Sequence, residues 1–523
     1  MKYHCHLKAE TTNIKSYKRS ARPPAGRLEF YPKNQLRILE TLVLFIAIFY
    51  RKNIIYKNFQ FDILFFLIYI LSIVFIKEEK VREAFKKWTL FWIVMVCVLF
   101  GKVDYLEANF TKYKNGTSVW DGKIKFGGRV RFRQEIKDGY YIPNGQKKVH
   151  DDLSLLQTRI YVEFMPTEEI GFHLMFEDAR DFTEPHPYKP LVPYAYDTAF
   201  DVQQAYVFYQ PKNSSFSFWA GRREVFYLKH RLIGTTIGWG HKVITYDGAM
   251  VTFEDKKFKL DLAYLNWVRP QHTGRLFEHT WFGEPANTIV GWLTLKDLFS
   301  GASLDIYTIY DDRRNGEDIY TIGLRAYGKI GSSIGYDING SLQLGDALVG
   351  SEFQDRIAGA FYLDTWYAFD MPWKPTIGLE YFMATGDSHP GNGDYHTFDQ
   401  LYATPHYSYG YMDLMGWQNM HDLNLKTWIK PVKGLKCGAA FHTFWLFANE
   451  DNWYNAYKKV QRFGQEDASH YIGNELDFIF FYDFAKYFTL VGTYSHFFAG
   501  KFVAQTGQSS DADFFSMEIR FEF

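Results

Sequence analysis

The end of the chain alternates strictly between apolar and polar side chains. From residue 515 to residue 523, one parity is wholly apolar and the other is polar or charged. The apolar positions are Phe515, Met517, Ile519, Phe521 and Phe523, and the polar positions are Ser516, Glu518, Arg520 and Glu522. Successive side chains of a β-strand point to opposite faces, so this pattern predicts a terminal strand with one oily face and one polar face.

Alternating segments of this kind recur from residue 123 to the end. About 18 can be counted, starting near residues 123, 155, 169, 199, 214, 245, 257, 287, 301, 317, 333, 353, 374, 420, 434, 473, 487 and 511. An even number of such strands predicts an all-β fold, a transmembrane antiparallel up-and-down β-barrel whose apolar parity faces lipid and whose polar parity faces a wet lumen. A soluble β-sandwich or propeller is the alternative, and the absence of a fixed repeat of 40–50 residues counts against a propeller.

The connections between these segments are alternately short and long. Tight polar turns at 166–169, 211–214, 254–257 and 431–434 are expected at the periplasmic end. The longer insertions are expected as extracellular loops or as loops that fold into the lumen, and they cover 139–152, 181–198, 227–244, 266–286, 386–419 and 448–472.

Composition supports the barrel and excludes other classes. Aromatic residues make up 19% of the chain, as expected if aromatic girdles mark both membrane interfaces. The net charge of zero hides an acidic part, residues 109–523, with 41 basic and 50 acidic side chains, which argues against a nucleic-acid partner. That part holds a single cysteine, Cys437, so it has neither a disulfide framework nor a cysteine metal site. No cofactor is predicted.

The first 108 residues differ from the rest. Arg82, Lys86 and Lys87 precede the apolar run Trp88–Phe100, and smaller residues lead to Ala108, so residues 81–108 are interpreted as a signal peptide. Residues 1–80 are either an over-extended gene prediction or an upstream membrane-helix segment. The first interpretation is favoured, because a helical inner-membrane anchor would hinder delivery to the outer membrane. Residues 109–523 are the predicted barrel.

Several stretches between residues 155 and 523 resemble the bacterial alginate-export family of outer-membrane porins. Their order along the chain carries the resemblance more than any one motif does. They are QTRIYVEF at 157–164, FEDAR at 176–180, AGRRE at 220–224, YDG at 246–248, FDQLY at 398–402, TPH at 404–406, YGYMD at 409–413, GNELD at 473–477, YSHFFAG at 494–500 and DADF at 511–514.

The resemblance implies a monomeric channel of the bacterial cell outer membrane that carries anionic sugars or alginate-like polyuronate through a lumen containing arginines. The expected partners are outer-membrane lipid, the anionic polysaccharide or oligosaccharide, and the barrel-assembly machinery acting through the C-terminal Phe523. A general or structural porin without specialised cargo is the alternative, and an outer-membrane hydrolase is less favoured. Acidic residues at inward positions argue against strong selectivity for polyanions.

Arginines recur at one parity of the first predicted strands. Arg129, Arg131 and Arg133 are spaced by two, so they point the same way. That direction is not lipid, where a charge costs about 2–4 kcal/mol near the bilayer centre. The residues predicted to line the pore or bind substrate are Arg129, Arg131, Arg133, Arg159, Glu163, Arg180, Arg222, Arg223, Asp247, Arg325 and Arg356. A guanidinium suits carboxylate oxygens, although these charges can also pair with facing acids and brace the wall.

The loop at 386–419 is predicted to gate or plug the channel, with Asp387, Asp399, His406 and Asp413 as its candidate residues. Their spacing matches no compact metal motif, so a turn-rich polar loop is the favoured interpretation. An enzyme is not predicted. Ser495 and His496 are adjacent on a strand, so they point to opposite faces and cannot act as a catalytic pair.

Overall fold

The computed structural model describes residues 117–141, 148–183, 199–235, 238–268, 286–299 and 301–523. The predicted signal peptide and the 80 residues before it lie outside these described residues, so both interpretations of that part stay predictions. Among the residues described, no helix is long and apolar enough to cross a membrane.

Within the described residues, eighteen strands form the antiparallel wall of a barrel that closes on itself, and two short strands, Thr117–Val119 and Asp394–Tyr395, pair onto the same sheet. Each strand pairs with its neighbours in the chain, and β18 pairs with β1. The strands are β1 (Ile124–Tyr141), β2 (Lys148–Phe164), β3 (Ile170–Asp181), β4 (Ala199–Tyr209), β5 (Phe216–Arg223), β6 (Thr245–Glu254), β7 (Phe258–Val268), β8 (Ala286–Phe299), β9 (Ala302–Arg313), β10 (Asp318–Ile330), β11 (Ile334–Val349), β12 (Glu352–Ala368), β13 (Thr376–Ala384), β14 (Met420–Val432), β15 (Leu435–Trp445), β16 (Tyr471–Ala485), β17 (Phe488–Ala499) and β18 (Ala512–Glu522).

The predicted barrel is therefore confirmed, and the predicted strand starts lie within two residues of the observed ones except in β2. β2 begins at Lys148 rather than near residue 155, and β1 continues to Tyr141. Both strands thus extend through polar residues, Asp151 and Asp152 among them, which the apolar period does not mark. The predicted loop at 139–152 is correspondingly shorter.

The two faces of the barrel wall differ in the expected way. On β10 the outward residues Tyr320, Ile322 and Leu324 are exposed, whereas the inward Ile319 and Thr321 are fully buried. An apolar outer face covers the barrel because strands in a bilayer expose their side chains to hydrocarbon. The inward face is enclosed because loops fill part of the interior, as described below.

The outer face gives a stability prediction. Leu324, 55% exposed at the middle of β10, lies at the centre of the apolar band. Leu324→Arg should lower the free energy of unfolding by about 2–4 kcal/mol, measured by urea titration in phospholipid vesicles, because the charge enters hydrocarbon. Phe299→Arg, at the end of β8 beside the short turn to β9, is the control and should have a much smaller effect. Equal effects at the two positions would contradict the placement of the band.

Two residues close the seam of the barrel. The amide of Gly128 donates to the carbonyl of Phe523 and the amide of Phe523 donates to the carbonyl of Gly128, both at 3.0 Å. The last residue of the chain therefore extends the ladder between β18 and β1.

Candidate functional site

The connection between β5 and β6 crosses the barrel interior. We call its described residues, 224–235 and 238–244, the crossing loop. Near its start, Lys229 Nζ lies 2.6 Å from Asp337 Oδ2 on β11. Further along, the carbonyl of Gly238 accepts a hydrogen bond from Arg131 on β1. β1 and β11 lie ten strands apart in a ring of 18, so the loop touches nearly opposite walls.

Arginines of β1 hold the far end of the crossing loop by its backbone. Arg131 donates from Nη2 to the carbonyl of Gly240 at 2.6 Å and from Nη1 to that of Gly238 at 3.3 Å. Arg133 donates to the carbonyl of Trp239, and its guanidinium lies 3.8 Å from the centre of the Trp239 ring. Two of the predicted pore arginines thus face inward but are fully buried beneath the loop.

Two buried carboxylates lie beside these arginines: Glu518 of β18, and Glu135 of β1, which lies 2.7 Å from Arg133 Nη2. Glu518 lies 3.7 Å from Arg131 Nε and 3.5 Å from Arg133 Nη1, and it also accepts from Arg520 Nε. Arg520 in turn donates to the carbonyl of Gly238 at 3.1 Å. Burial and the nearby arginines lower the pKa of His241 in the crossing loop well below its usual value, so this imidazole is neutral near pH 7.

The connection between β13 and β14, residues 385–419, also folds inward, and we call it the second loop. Gln343 of β11 binds both backbone groups of Asp399, accepting from its amide at 2.8 Å and donating to its carbonyl at 2.7 Å. The Asp399 carboxylate lies 3.0 Å from Arg313 Nη1 and 2.6 Å from Lys458 Nζ. Burial alone would raise the pKa of Asp399, but Arg313, Lys458 and Arg356 hold it well below its usual range.

The two loops are joined to each other. The amide of Tyr402 donates to the carbonyl of Leu232 at 2.8 Å, and the amide of Gly234 donates to the carbonyl of Tyr402 at 2.9 Å. The ring of His406 stacks on Trp239 of the crossing loop with centres 3.8 Å apart. The pair therefore forms one inserted body rather than two separate flaps.

The remaining candidates in the second loop are engaged in the same way. His406 Nδ1 lies 3.0 Å from Asp413 Oδ1. The side chain of Asp387 accepts from the amide of His389 at 3.1 Å, and its own amide donates to Asp451 Oδ2 at 3.0 Å. All four predicted gating residues thus lie in a loop that plugs part of the lumen; whether that loop moves stays a prediction.

A network of alternating charges lines the wall beside the near end of the crossing loop. Arg325 of β10 bonds both oxygens of Asp337, at 2.7 and 2.8 Å, and lies 3.2 Å from Asp305. Lys229 reaches the same Asp337 and also lies 3.5 Å from Asp364 Oδ2 on β12.

The network continues onto the next strands. Lys426 of β14 lies 3.2 Å from Asp364 Oδ1 and also bonds Glu380 of β13. Arg231 of the crossing loop lies 3.9 Å from Glu380 and 4.5 Å from the centre of the Tyr362 ring. We call this whole set the charge belt; its members are Asp305, Arg325, Asp337, Lys229, Asp364, Lys426, Glu380 and Arg231.

Two lysines are the most exposed charged side chains of the charge belt, whereas Arg231 and Arg325, at 5% and 11% exposed, are nearly as enclosed as the acids. The side chains of Lys229 and Lys426 are 45% and 23% exposed, whereas those of Asp337, Asp364 and Glu380 are between 1% and 6% exposed. The belt carries four basic and four acidic groups, but the acids lie underneath. The most exposed charged side chains on this wall are therefore basic, and we call Lys229 and Lys426 its cationic surface.

The other predicted residues fall on both faces of the wall. Arg159 is buried and inward, bonding Glu177 at 2.6 Å. Arg356 is buried and donates to the carbonyl of Thr397 in the second loop at 3.0 Å. Arg129 faces inward against Gln157 at 3.3 Å. Glu163 faces inward and lies 3.4 Å from His173.

Three predicted residues have the outward parity. Arg180 pairs with Asp178 on the exposed face of β3. Arg222 pairs with Asp247 at 2.8 Å, and both have the parity opposite to the buried Trp219 and Tyr246 of the same strands. Arg223, by contrast, faces inward and lies 4.7 Å from the centre of the Tyr206 ring.

Several belt residues were not singled out from the sequence. Four of them have inward parity, so the alternation along their strands could have placed them in the lumen. They are Asp337, Asp364, Glu380 and Lys426. Lys229 lies in a loop, where no period of two applies. Sequence reasoning had no means of placing it in the lumen.

Two observations within the described residues bear on the metal and catalytic interpretations. Within the described residues, no three or more His, Cys, Asp or Glu side chains are placed to hold a metal ion. Ser495 is buried at inward parity, whereas His496 lies on the other face and pairs with Asp513 at 2.9 Å. These two residues do point in opposite directions, as their spacing predicts.

Comparison with known proteins identifies the family. The family model described as Alginate export matches residues 123–516, about three quarters of the chain. The chain belongs to the alginate-export family.

Solved structures agree on the fold of this alginate-export family member. It resembles OccK11 (OpdR) of Pseudomonas aeruginosa with 13% identity, a TM-score of 0.51 and coverage of 80% of this chain and 99% of that one. It also resembles OccAB1 of Acinetobacter baumannii, with 14% identity, a TM-score of 0.54 and coverage of 79% of this chain and 99% of that one. A third similar structure is OccK8 (OprE) of P. aeruginosa, with 13% identity, a TM-score of 0.53 and coverage of 76% of this chain and 98% of that one. A search of curated protein sequences gave no match.

Family and fold together give a location and a broad role. The protein is an outer-membrane β-barrel of the porin type, located in the bacterial outer membrane. The family match indicates a channel rather than an enzyme.

Proposed function

We propose that this alginate-export family member lets anionic sugars, such as alginate-like uronates and their oligomers, cross the outer membrane through its partly plugged, arginine-containing lumen. The observation that carries the proposal is the cationic surface of the charge belt, where the side chains of Lys229 and Lys426 are more exposed than those of the acids they pair with. An exposed cation in a narrow, low-dielectric passage favours anions over cations.

The arginines contribute in a different way from the one their ladder suggests. Arg131, Arg133 and Arg520 bind loop carbonyls and Glu518, so they hold the crossing loop in place. Lys229 is carried on that loop. In this proposal the arginines are positioning residues, and the lysines of the charge belt meet the anion. Direct contact between Arg129, Arg131 or Arg133 and cargo is proposed only for states in which the loop has moved.

Transport through proteoliposomes tests the proposal. Vesicles containing the protein should take up sodium galacturonate faster than neutral glucose. Lys229→Gln should reduce the ratio of the two uptake rates about twofold, because one exposed charge is removed. Lys212→Gln, in the exposed turn before β5, is the matched control and should leave the preference unchanged. Equal permeation of the charged and neutral sugars in the unmodified protein would contradict the proposal.

That contrary result would favour the second candidate, a general porin without specialised cargo. One observation favours it: the charge belt contains as many acidic as basic groups, and each predicted inward arginine contacts a protein partner. In that case the loops narrow the passage without selecting by charge.

The proposed partners follow from the barrel. Outer-membrane lipid contacts the apolar outer face, and the barrel-assembly machinery is proposed to recognise the C-terminal strand ending at Phe523. A monomer is proposed, as the resemblance to the alginate-export family implies.

A further inference from the structure

Trp366 places an indole against the inner wall near the periplasmic end of β12. It shares the inward parity of Tyr362 and Asp364, and its register partner on β11 is Gly335. A methyl group at Gly335 would lie 2.1 Å from Cε2 and Cζ2 of the indole. The ring therefore lies flat on the bare backbone of β11.

Two lysines near this ring share one carboxylate, that of Asp364. Lys229 Nζ lies 3.5 Å from Asp364 Oδ2 and 5.8 Å from the centre of the Trp366 ring. Lys426 Nζ lies 3.2 Å from the other oxygen, Asp364 Oδ1. The stem of Lys426 reaches it by lying over Gly378 of β13, where a methyl group would come within 2.9 Å of Lys426 Cε. Two glycines thus make room for the arrangement.

The backbone that carries Lys229 is strained. Leu228, Lys229 and His230 have φ values of 52°, 51° and 66°, a conformation that residues with a side chain rarely adopt, least of all three in succession. Hydrogen bonds hold it in place: the amide of Tyr227 donates to the carbonyl of Ile233, and the amide of Thr404 donates to that of His230 at 2.7 Å. Such strain persists where the surroundings enforce it, commonly at functional sites.

We propose that Trp366, Lys229 and Lys426 form a subsite that binds one pyranose ring bearing a carboxylate. This inference rests on the proposed function and deepens it, because it assigns recognition of the sugar ring, and not only of its charge, to named residues. No chemical step is involved. The subsite lies on the periplasmic side of the crossing loop, where a saccharide leaving the periplasm meets it first.

The ring face and the carboxylate of such a saccharide each have a partner. The C–H bonds of one ring face stack on the indole, whose π face is negative. The carboxylate binds the exposed ammonium of Lys229, which has three N–H donors and shares them with Asp337 and Asp364. An open-chain dianion satisfies the ammonium groups but offers no flat apolar face to the indole.

Block of single-channel current in planar bilayers tests this subsite. Trigalacturonate is the probe, with the open-chain dianion glucarate for comparison. Trp366→Ala should weaken block by trigalacturonate about tenfold, since it removes the stacking surface, while block by glucarate and the ion selectivity stay unchanged. Trp366→Phe should retain most of the block, and Lys229→Gln should weaken block by both anions. Trp373→Ala, in the exposed turn between β12 and β13, is the matched control.

The outcomes separate the two proposals. If trigalacturonate blocks the unmodified channel and Trp366→Ala behaves like Trp373→Ala, the subsite is overturned and the proposed function stands. If neither anion blocks the unmodified channel and it prefers cations, the proposed function fails and the subsite with it. Loss of trigalacturonate block in Trp366→Ala, at normal conductance and with block retained in Trp366→Phe, supports the subsite.

Discussion

Replacing residues 225–243 with a four-residue Gly-Asn-Gly-Ser turn should raise the single-channel conductance at least about twofold, because the crossing loop then no longer spans the lumen. The replacement is sterically simple. β5 and β6 are neighbours whose ends pair directly, Arg223 with Tyr246, so a short hairpin can join them. Conductance in planar bilayers with symmetric salt is the measurement.

The control for this experiment keeps the loop and changes its charge. Lys229→Gln should leave the size of the conductance nearly unaltered while shifting its selectivity. A shortened variant whose conductance equals that of the unmodified protein would show that the passage is limited elsewhere, for example by the second loop. The loss of Lys229 with the loop should also lower the anion preference of the shortened variant.

Glu518→Leu should lower the free energy of unfolding by about 3–5 kcal/mol, the second large effect expected. Glu518 is the shared counter-ion of Arg131, Arg133 and Arg520, all of which are buried. Removing it leaves three buried guanidinium groups close together with one carboxylate fewer. Urea titration in vesicles, followed by tryptophan fluorescence, measures the change.

The same substitution elsewhere on β18 is the control. Glu522, at the end of β18, lies 3.8 Å from one guanidinium, that of Arg129, whereas Glu518 contacts three, so Glu522→Leu should cost clearly less. If Glu518→Leu were no more harmful than Glu522→Leu, the arginines would not depend on that carboxylate. The claim that they hold the crossing loop would then lose its electrostatic basis.

The strands of this protein could be predicted closely from the sequence. A wall one residue thick, with lipid on one side and polar contacts on the other, enforces a period of two along every strand. That is why β14 starts at Met420 and β4 at Ala199, where the pattern places them. β2 begins earlier than expected because its first residues are mostly polar. The alternation of apolar and polar side chains that lipid enforces does not extend to them.

The interior could be predicted only in part. Parity showed that Arg131 and Arg133 face inward, but it could not show that loop carbonyls rather than water or cargo would meet them. Parity also leaves open which of two adjacent arginines faces inward, and the structure places Arg223 inside and Arg222 outside. The path of the crossing loop depends on contacts between residues distant in the chain, such as Lys229 with Asp337, which no local pattern encodes.

The most direct test of the account is the reversal potential of the purified protein in a planar bilayer under a gradient of potassium chloride. The cationic surface of the charge belt predicts a potential of the sign that shows preference for chloride, reduced in Lys229→Gln. A potential showing preference for potassium, or one unchanged by Lys229→Gln, would contradict the claim that exposed lysines above buried acids set the selectivity of this channel.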